Sequence, residues 1–301
     1  MTSNAVAGKV VIVTGAGRGI GRDVALLMAL QGAKVVVNDL GVSLTGEPGD
    51  ESPAEETVEM IKAAGGEAVA NADSVADWNG AQRMAALAMD HFGGLDVVVN
   101  NAGILRELSF ADTSPQDFDA TVKVHLYGSF YLARAAAPLF KAQRSGAYIH
   151  MTSSTGMIGR RNLCAYAAAK MGIVGLMRSI ALDMAEYGVR SNCISPAAAT
   201  RMSPKRATAA QDDAFRKTVH GGQVAPVAVF LASDAAAKIN GQIIGVRRNE
   251  LYLYSQPRPV RTLHRADGWT VQALNEQLVQ AWAASFVPLE ETGDVFAWAA
   301  I

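Results

Sequence analysis

Residues 9–14 (KVVIVT), followed at once by Gly15-Ala-Gly17-Arg-Gly19-Ile-Gly21, narrow the possible folds more than any other part of the chain. A short run dominated by β-branched residues, without polar alternation, reads as a strand buried on both faces, as in a parallel sheet. From the glycines to about Leu30 the apolar residues Ile20, Val24, Leu27 and Met28 recur at helical spacing. Strand, glycine loop and helix in that order give the glycines a ligand meaning. They allow a tight turn and let a pyrophosphate approach the helix N-terminus, where free N–H groups and the helix dipole favour an anion. A plain glycine-rich turn in an α/β protein is the structural alternative.

The same alternation continues along the chain. Strands are expected at residues 33–38, 67–71, 95–99, 147–152, 189–195 and 241–246. Helices are expected at 54–64, 77–92, 115–143 (broken near Pro138), 166–187 and 224–233. Repeated βαβ units imply an α/β fold with a doubly wound parallel sheet of about seven strands and right-handed crossovers. Ligands then bind at the carboxyl ends of the strands. Asp39 ends the second strand, eighteen residues after Gly21, where an acid hydrogen-bonds adenine ribose hydroxyls in dinucleotide folds; a turn or cap residue is the alternative. Asp73 and Ser74 end the third strand, and Asn100-Asn101-Ala102-Gly103 follows the fourth, with small residues and amides suited to a backbone passing close to a ligand or to a turn. Residues 41–53 read as a polar surface loop. Residues 200–220, with Lys205, Arg206, Arg216, Lys217 and His220, read as a mobile flap whose charges form a solvated face, with an anion-handling role as the alternative. Residues 1–249 are expected to form one domain, and 250–301 an extension packed on it or on a neighbouring subunit. In the extension, residues 250–255 read as a strand and 270–284 as a helix with Leu274, Leu278 and Trp282 on one face.

Composition removes other classes. The 301 residues, 50% hydrophobic and 18% charged, suffice for one large domain. A net charge of −1 gives no global field toward nucleic acid or an anionic membrane. No apolar run is expected to reach the ~20 residues of a membrane span, and MTSNAVAGKV lacks the basic and apolar regions of a secretion signal. The two cysteines, Cys164 and Cys193, have no metal-ligand spacing. A cytoplasmic protein with reduced thiols and no metal site is the expectation.

Chemistry concentrates between Ser153 and Lys170. Tyr166 and Lys170 are four apart, so a helix sets them on one face, with Ser153 thirteen positions before the tyrosine. A phenol titrates near ~10, and a neighbouring cation favours its ionised form. A serine hydroxyl both donates and accepts, so it can hold an alcohol or carbonyl oxygen beside the phenol. That set moves a proton on or off an alcohol oxygen. His125 stands among apolar residues of the 115–143 helix, a setting typical of a core histidine.

Thr14-Gly-x-Gly-x-Gly-Ile-Gly21, Asn100-Asn-Ala-Gly103, Ser153, Tyr166-x-x-x-Lys170 and Asn192-x-x-x-Pro196 occur in this order at successive strand ends. The combination resembles the short-chain dehydrogenase/reductase family over roughly residues 8–247. The resemblance implies a Rossmann-type sheet, a nicotinamide dinucleotide and interconversion of an alcohol and a ketone. It implies that Tyr166 is the acid–base, that Ser153 orients the substrate oxygen, and that Lys170 holds the nicotinamide ribose and lowers the tyrosine pKa. His125 stands where the family usually has an asparagine that supports a water in the proton relay, and since imidazole can also donate and accept, His125 is the catalytic candidate for the last member of that relay. Expected cofactor contacts come from Gly15, Arg18, Gly19, Ile20 and Gly21 in the first loop and from Asp39 and Leu40 after the second strand. Asp73, Ser74, Asn101, Ala102 and Gly103 follow, then Tyr166 and Lys170, and finally Pro196, Ala199 and Thr200. The family's Pro-Gly after the sixth strand is Pro196-Ala197 here, and the link to Thr200 is one residue shorter. Val36-Val-Asn-Asp39-Leu-Gly41 and Val124-His125-Leu-x-Gly-Ser-Phe130 are similar to the hydroxyacyl-CoA dehydrogenase unit of multifunctional enzyme type 2 and to bacterial 17β-hydroxysteroid/3-hydroxyacyl-CoA dehydrogenases, a subgroup in which histidine commonly stands at the position of His125.

The expected activity is hydride transfer between NAD(H), favoured over NADP(H) by Asp39, and a secondary alcohol or ketone, with 3-hydroxyacyl-CoA or hydroxysteroid-like substrates. A reductase of another cyclic or aromatic ketone and a non-catalytic dinucleotide-binding regulator are the alternatives. A small-molecule substrate is expected, without nucleic-acid or membrane partners. A homodimer or homotetramer paired through helices 115–143 and 166–187 is also expected.

Overall fold

The β-branched runs form the strands, and the sheet they build fixes where the site lies. The structure is a computed structural model that describes residues 4–47, 52–200, 202–203 and 208–298. In chain order the elements are β1 (Val10–Thr14), α1 (Gly19–Leu30), β2 (Lys34–Asn38), α2 (Pro53–Ala63), β3 (Glu67–Asn71), α3 (Trp78–Phe92) and β4 (Val97–Asn100). Then come α4 (Pro115–Val122), α5 (Gly128–Gln143), β5 (Gly146–Met151), α6 (Ser154–Met157), α7 (Cys164–Asp183) and β6 (Val189–Ala197). The chain closes with α8 (Ala209–Thr218), α9 (Ala225–Ala232), β7 (Ile243–Arg247), β8 (Glu250–Leu253), α10 (Val271–Trp282) and α11 (Thr292–Val295).

The sheet order is β3-β2-β1-β4-β5-β6-β7-β8. The first seven strands are parallel, in register Ile12↔Val36 and Ile12↔Val98 at the centre. Both faces are covered, which is why these strands read as continuous apolar runs. Val11, Val13, Val35 and Val37 pack with Val24, Met28 and Ile61 of α1 and α2 and with α9. Val10, Ile12, Val36 and Val98 point the other way, onto Met84, Leu132 and Phe140 of α3 and α5. Strand order reverses on either side of β1, where β2 lies on one flank and β4 on the other. That topological switch is where an open α/β sheet binds its ligand.

Several expectations need correction. The strand expected at 250–255 is present as β8, antiparallel to β7, and it makes the sheet eight-stranded where about seven strands were expected. The long helix does not break at Pro138, which lies inside α5. It is interrupted earlier, by a π-helical turn at Lys123–Tyr127 that carries His125. The 200–220 stretch contains helix α8, capped by the Thr208 hydroxyl. Arg216 there is tied to Asp212 (2.6 Å) and to the Thr200 carbonyl (2.9 Å), while Lys205 and Arg206 lie outside the described residues. Among the described residues α7 is long and apolar enough to cross a membrane by length and composition, but Ala169, Lys170, Ile173, Val174 and Met177 along it are buried inside the fold.

The expected tail helix is α10, capped by the Thr270 hydroxyl accepting from the Ala273 N–H at 3.1 Å. Leu274, Leu278 and Trp282 are half-buried, and Ala273 is the one fully buried residue of that helix. Further on, Thr292 donates its N–H and its hydroxyl to the Gly159 carbonyl, both at 3.0 Å, and Glu291 pairs with Arg161 at 2.8 Å. The tail thereby returns to the loop that precedes α7.

Candidate active site

The strand ends of β1 and β4 are stitched together by Thr14 and Asn101. The Thr14 hydroxyl accepts from the N–H groups of Asn101 (3.0 Å) and Ala102 (3.1 Å). The Asn101 side-chain amide donates to the carbonyls of Thr14 (2.8 Å) and Gly15 (3.1 Å). Gly15 has φ +62°, and a β-carbon on it would lie 2.8 Å from the Ala102 Cα. A β-carbon on Gly21 would collide with the Gly15 carbonyl oxygen. Glycine is therefore required for the N-terminus of α1 to ride directly on the loop, leaving backbone where an anion can approach.

Asp39 leaves β2 with both carboxylate oxygens engaged. Oδ2 accepts from the Gly17 N–H and Oδ1 from the Gly41 N–H, each at 2.9 Å. An ionised carboxylate has about four acceptor sites, so it retains capacity for ribose hydroxyls. Asp73 accepts from Arg83 (2.8 Å) and Asn71 (2.8 Å). Its burial alone would raise its pKa, but these donors outweigh that and hold it below the usual carboxylate range.

At the other end, β5 delivers Ser153, whose hydroxyl caps α6 by accepting from the Thr155 N–H (3.2 Å). Tyr166 and Lys170 stand one turn apart on α7, with the Lys170 Nζ 5.5 Å from the Tyr166 ring centroid. That ammonium donates to the Met151 carbonyl at 2.7 Å, and the Thr152 hydroxyl donates to the Lys170 carbonyl at 2.8 Å. Burial raises the Tyr166 pKa, and hydrogen bonding with the Ser153 hydroxyl draws it part of the way back. Burial and Ser153 are the causes of that shift, and the Lys170 ammonium is engaged by the Met151 carbonyl. Burial pushes Lys170 itself down to about 8. His125 meets the Tyr166 ring edge-on, with centroids 5.2 Å apart. Its Nε2 donates to the Ile104 carbonyl at 2.8 Å, and burial together with the Lys170 charge pushes it down to about 3.

These ends converge on one cavity of about 470 Å³. The predicted residues Gly15, Arg18, Gly19 and Ile20 line it with Asp39 and Leu40. So do Asp73, Ser74, Asn101, Ala102 and Gly103, and beyond them His125, Tyr166, Lys170, Pro196 and Thr200. Gly21, Ser153 and Ala199 are not among the lining residues. Gly21 is buried beneath the loop, Ser153 is half-buried behind Tyr166, and the Ala199 N–H is turned onto the Val219 carbonyl (3.0 Å) while Ala198 faces the cavity.

The family model described as enoyl-(acyl carrier protein) reductase, a short-chain dehydrogenase/reductase model, matches residues 15–247. The chain belongs to the short-chain dehydrogenase/reductase family. Hydroxyacyl-CoA dehydrogenase ChsB1 of Mycobacterium tuberculosis is 38% identical over 87% of this chain and 84% of its own length. Peroxisomal multifunctional enzyme type 2 of Drosophila melanogaster is 42% identical over 79% of this chain, which spans only 38% of that longer protein. Among solved structures, a short chain dehydrogenase from Mycobacterium avium superposes with TM-score 0.86 at 37% identity, covering 96% of this chain and 99% of that one. The enzyme is thus an oxidoreductase that uses a nicotinamide dinucleotide, and the glycine cradle and the cavity fit that group.

Some lining residues of this dehydrogenase/reductase escaped the reading of its sequence. Val42, Ser43, Leu44 and Gly46 face the cavity, although residues 41–53 read as a surface loop. The apolar Val42 and Leu44 within that polar stretch were the available signal. Arg160 and Met202 also line the cavity, and nothing in their local sequence distinguishes them.

Proposed function

We propose that this enzyme transfers a hydride between NAD(H) and a secondary alcohol or ketone of a hydrophobic substrate, with 3-hydroxyacyl-CoA thioesters favoured and hydroxysteroid-like alcohols next. The observation that carries the reading is the pairing of the Tyr166 phenol with the Ser153 hydroxyl beside Lys170, at a cavity that also contains the glycine cradle and Asp39. When bound, the dinucleotide supplies the hydride donor or acceptor. In reduction the Tyr166 phenol gives its proton to the carbonyl oxygen as hydride reaches the carbon, leaving a phenolate; in oxidation that phenolate takes the alcohol proton as hydride leaves the carbon. Ser153 hydrogen-bonds the same oxygen and fixes its direction. Lys170, held near neutrality, is a proton source and sink next to the phenol. His125 stays neutral. The substrate class is supported by the relative named above as a hydroxyacyl-CoA dehydrogenase. Following NADH absorbance with 3-hydroxyacyl-CoA thioesters and hydroxysteroids tests it. Turnover of neither class would overturn the substrate assignment, and no turnover of any secondary alcohol would favour a dinucleotide-binding regulator.

For the cofactor, NAD is expected over NADP by at least about tenfold, only ~1.4 kcal/mol. Asp39 can accept from both adenosine ribose hydroxyls of NAD, whereas the 2′-phosphate of NADP faces its like charge. Comparing kcat/KM for the two cofactors checks this; a preference for NADP would overturn it. Because Asp39 also anchors Gly17 and Gly41, Asp39→Ala is expected to weaken NAD more than it improves NADP.

Assembly through the helices is part of the same reading. Phe130 on α5 and Met171 and Leu182 on α7 are exposed, apolar surface of the kind that pairs across a two-fold axis. Light scattering is expected to give a dimer or tetramer, and a monomer at micromolar concentration would contradict it. A cytoplasmic location accords with the two free thiols, Cys164 and Cys193.

A further inference from the structure

Residues 41–47 follow β2, yet their hydrogen bonds run to the segment after β4. The Leu105 N–H donates to the Leu44 carbonyl at 3.1 Å. The Arg106 guanidinium donates to the Thr45 carbonyl through Nε (3.3 Å) and Nη2 (3.1 Å). Its Nη1 pairs with Asp117 at 2.7 Å. The Ser114 hydroxyl and Arg106 together keep that carboxylate below its usual range. Gly46 lies against the Ile104 side chain. In the sheet, β1 stands between β2 and β4. The loop therefore crosses above the glycine turn that leaves β1 and joins the two banks of the crevice.

The crossing loop has its own internal order. The Ser43 N–H donates to the Glu47 carbonyl at 2.7 Å, and the Glu47 N–H donates to the Ser43 hydroxyl at 3.0 Å. At its root the Gly41 N–H is held by Asp39. Val42, Ser43, Leu44 and Gly46 line the cavity together with Gly15, Arg18 and Gly19 of the glycine turn. A dinucleotide laid along the strand ends has to pass between this loop and the turn.

We propose that residues 41–47 form a roof over the dinucleotide site and that Arg106 is the positioning residue that holds the roof shut, so that its opening sets the rate of dinucleotide release. The inference rests on the dinucleotide site described above. The fork of Arg106 matters because one planar group reaches a backbone carbonyl and a carboxylate together, which a lysine ammonium cannot reproduce. With Arg106 gone, the Leu105–Leu44 bond is the remaining backbone link between roof and bank among the described residues.

The test is stopped-flow release of bound NADH or NADPH, followed by fluorescence, from the full chain. Arg106→Gln is expected to release the dinucleotide at least about tenfold faster, the consequence of losing charge-assisted hydrogen bonds. Arg106→Lys is expected to fall between it and wild type. Asp117→Asn, which leaves the arginine in place, is expected to move release in the same direction and serves if Arg106→Gln folds poorly. Single-turnover hydride transfer at saturating dinucleotide is expected to stay within about twofold, because Tyr166 and Ser153 are untouched. Arg161→Gln, an arginine paired elsewhere, controls for loss of charge. Release from Arg106→Gln within about twofold of wild type, or equal acceleration in Arg161→Gln, would overturn the roof while leaving the site intact. Failure of the wild-type enzyme to bind either dinucleotide would overturn the site reading, and the roof with it.

Discussion

Tyr166→Phe is expected to lower kcat by about 10²–10⁴, the usual contribution of a positioned acid–base, while dinucleotide affinity stays within about twofold. The ring is packed edge-on against His125, and phenylalanine preserves that contact. What disappears is the hydroxyl that pairs with Ser153. None of the groups at the adenosine end touches this ring: Asp39 is held by Gly17 and Gly41, and the glycine turn by Asn101. The variant should therefore separate proton transfer from binding. Measuring kcat together with the dinucleotide Kd checks both halves. A Tyr166→Phe enzyme that keeps more than about a tenth of its kcat would remove the tyrosine from the role assigned to it.

Folding stability is expected to fall steeply on acidification below pH 6.5, because two buried histidines must remain neutral. His150, with no exposed surface, sits on β5 with its Nδ1 3.1 Å from the Asn100 amide, which also donates to the Ser129 carbonyl. An accepting Nδ1 cannot also carry a proton, and the Nε2 has no protein partner. His125 uses Nε2 to donate to Ile104, leaving a buried Nδ1 with no acceptor for a second proton. Burial, reinforced by the Lys170 charge, pushes each from 6.5 to about 3.

The sign follows from linkage. Between pH 6.5 and about 3 the unfolded chain takes up protons that the native state refuses, so stability is present above 6.5 and is lost as pH falls. Each histidine contributes a slope of ~1.4 kcal/mol per pH unit in that window. Together they remove on the order of 5 kcal/mol over two units, comparable with the ~5–15 kcal/mol of a whole domain. Asp23, whose carboxyl is raised by burial, gives an effect of opposite sign. Lys170, pushed from 10.5 to about 8, acts in another window and makes stability rise with pH between those values. Urea unfolding from pH 7 to pH 4 checks the slope. His125→Asn and His150→Asn should each reduce it by about one proton, and an unchanged slope in both variants would refute the assignment.

The strands were legible because both faces of a parallel sheet are buried, so KVVIVT and AKVVVN announce themselves by composition alone. The Tyr166–Lys170 pair was legible because four-residue spacing on a helix fixes a shared face. What escaped was set by contacts distant in sequence. Arg106 and Thr45 are 61 positions apart, and no periodicity links them. Asp39 could be assigned to its strand end, but not to the N–H groups of Gly17 and Gly41 that it accepts from. The direction of the Lys170 ammonium, toward Met151 on a neighbouring strand, depends on how α7 seats on β5. The π-turn was invisible for a different reason: one surplus residue leaves the local composition fully helical, whereas Pro138 drew attention and changed nothing.

That surplus residue works as a clocking device. An α-helix turns by about 100° per residue, whereas the π-helical turn at Lys123–Tyr127 takes in one residue more, so it shifts by one position which residues of α5 share a face with those of α4. The first half of the rod consequently faces α7, and the second half, through Leu132, Ala136 and Phe140, belongs to the cluster it shares with α3. Deleting one residue of the turn would restore ordinary α-helical winding and leave both halves in mesh with their neighbours, at the expense of the wider turn that carries His125.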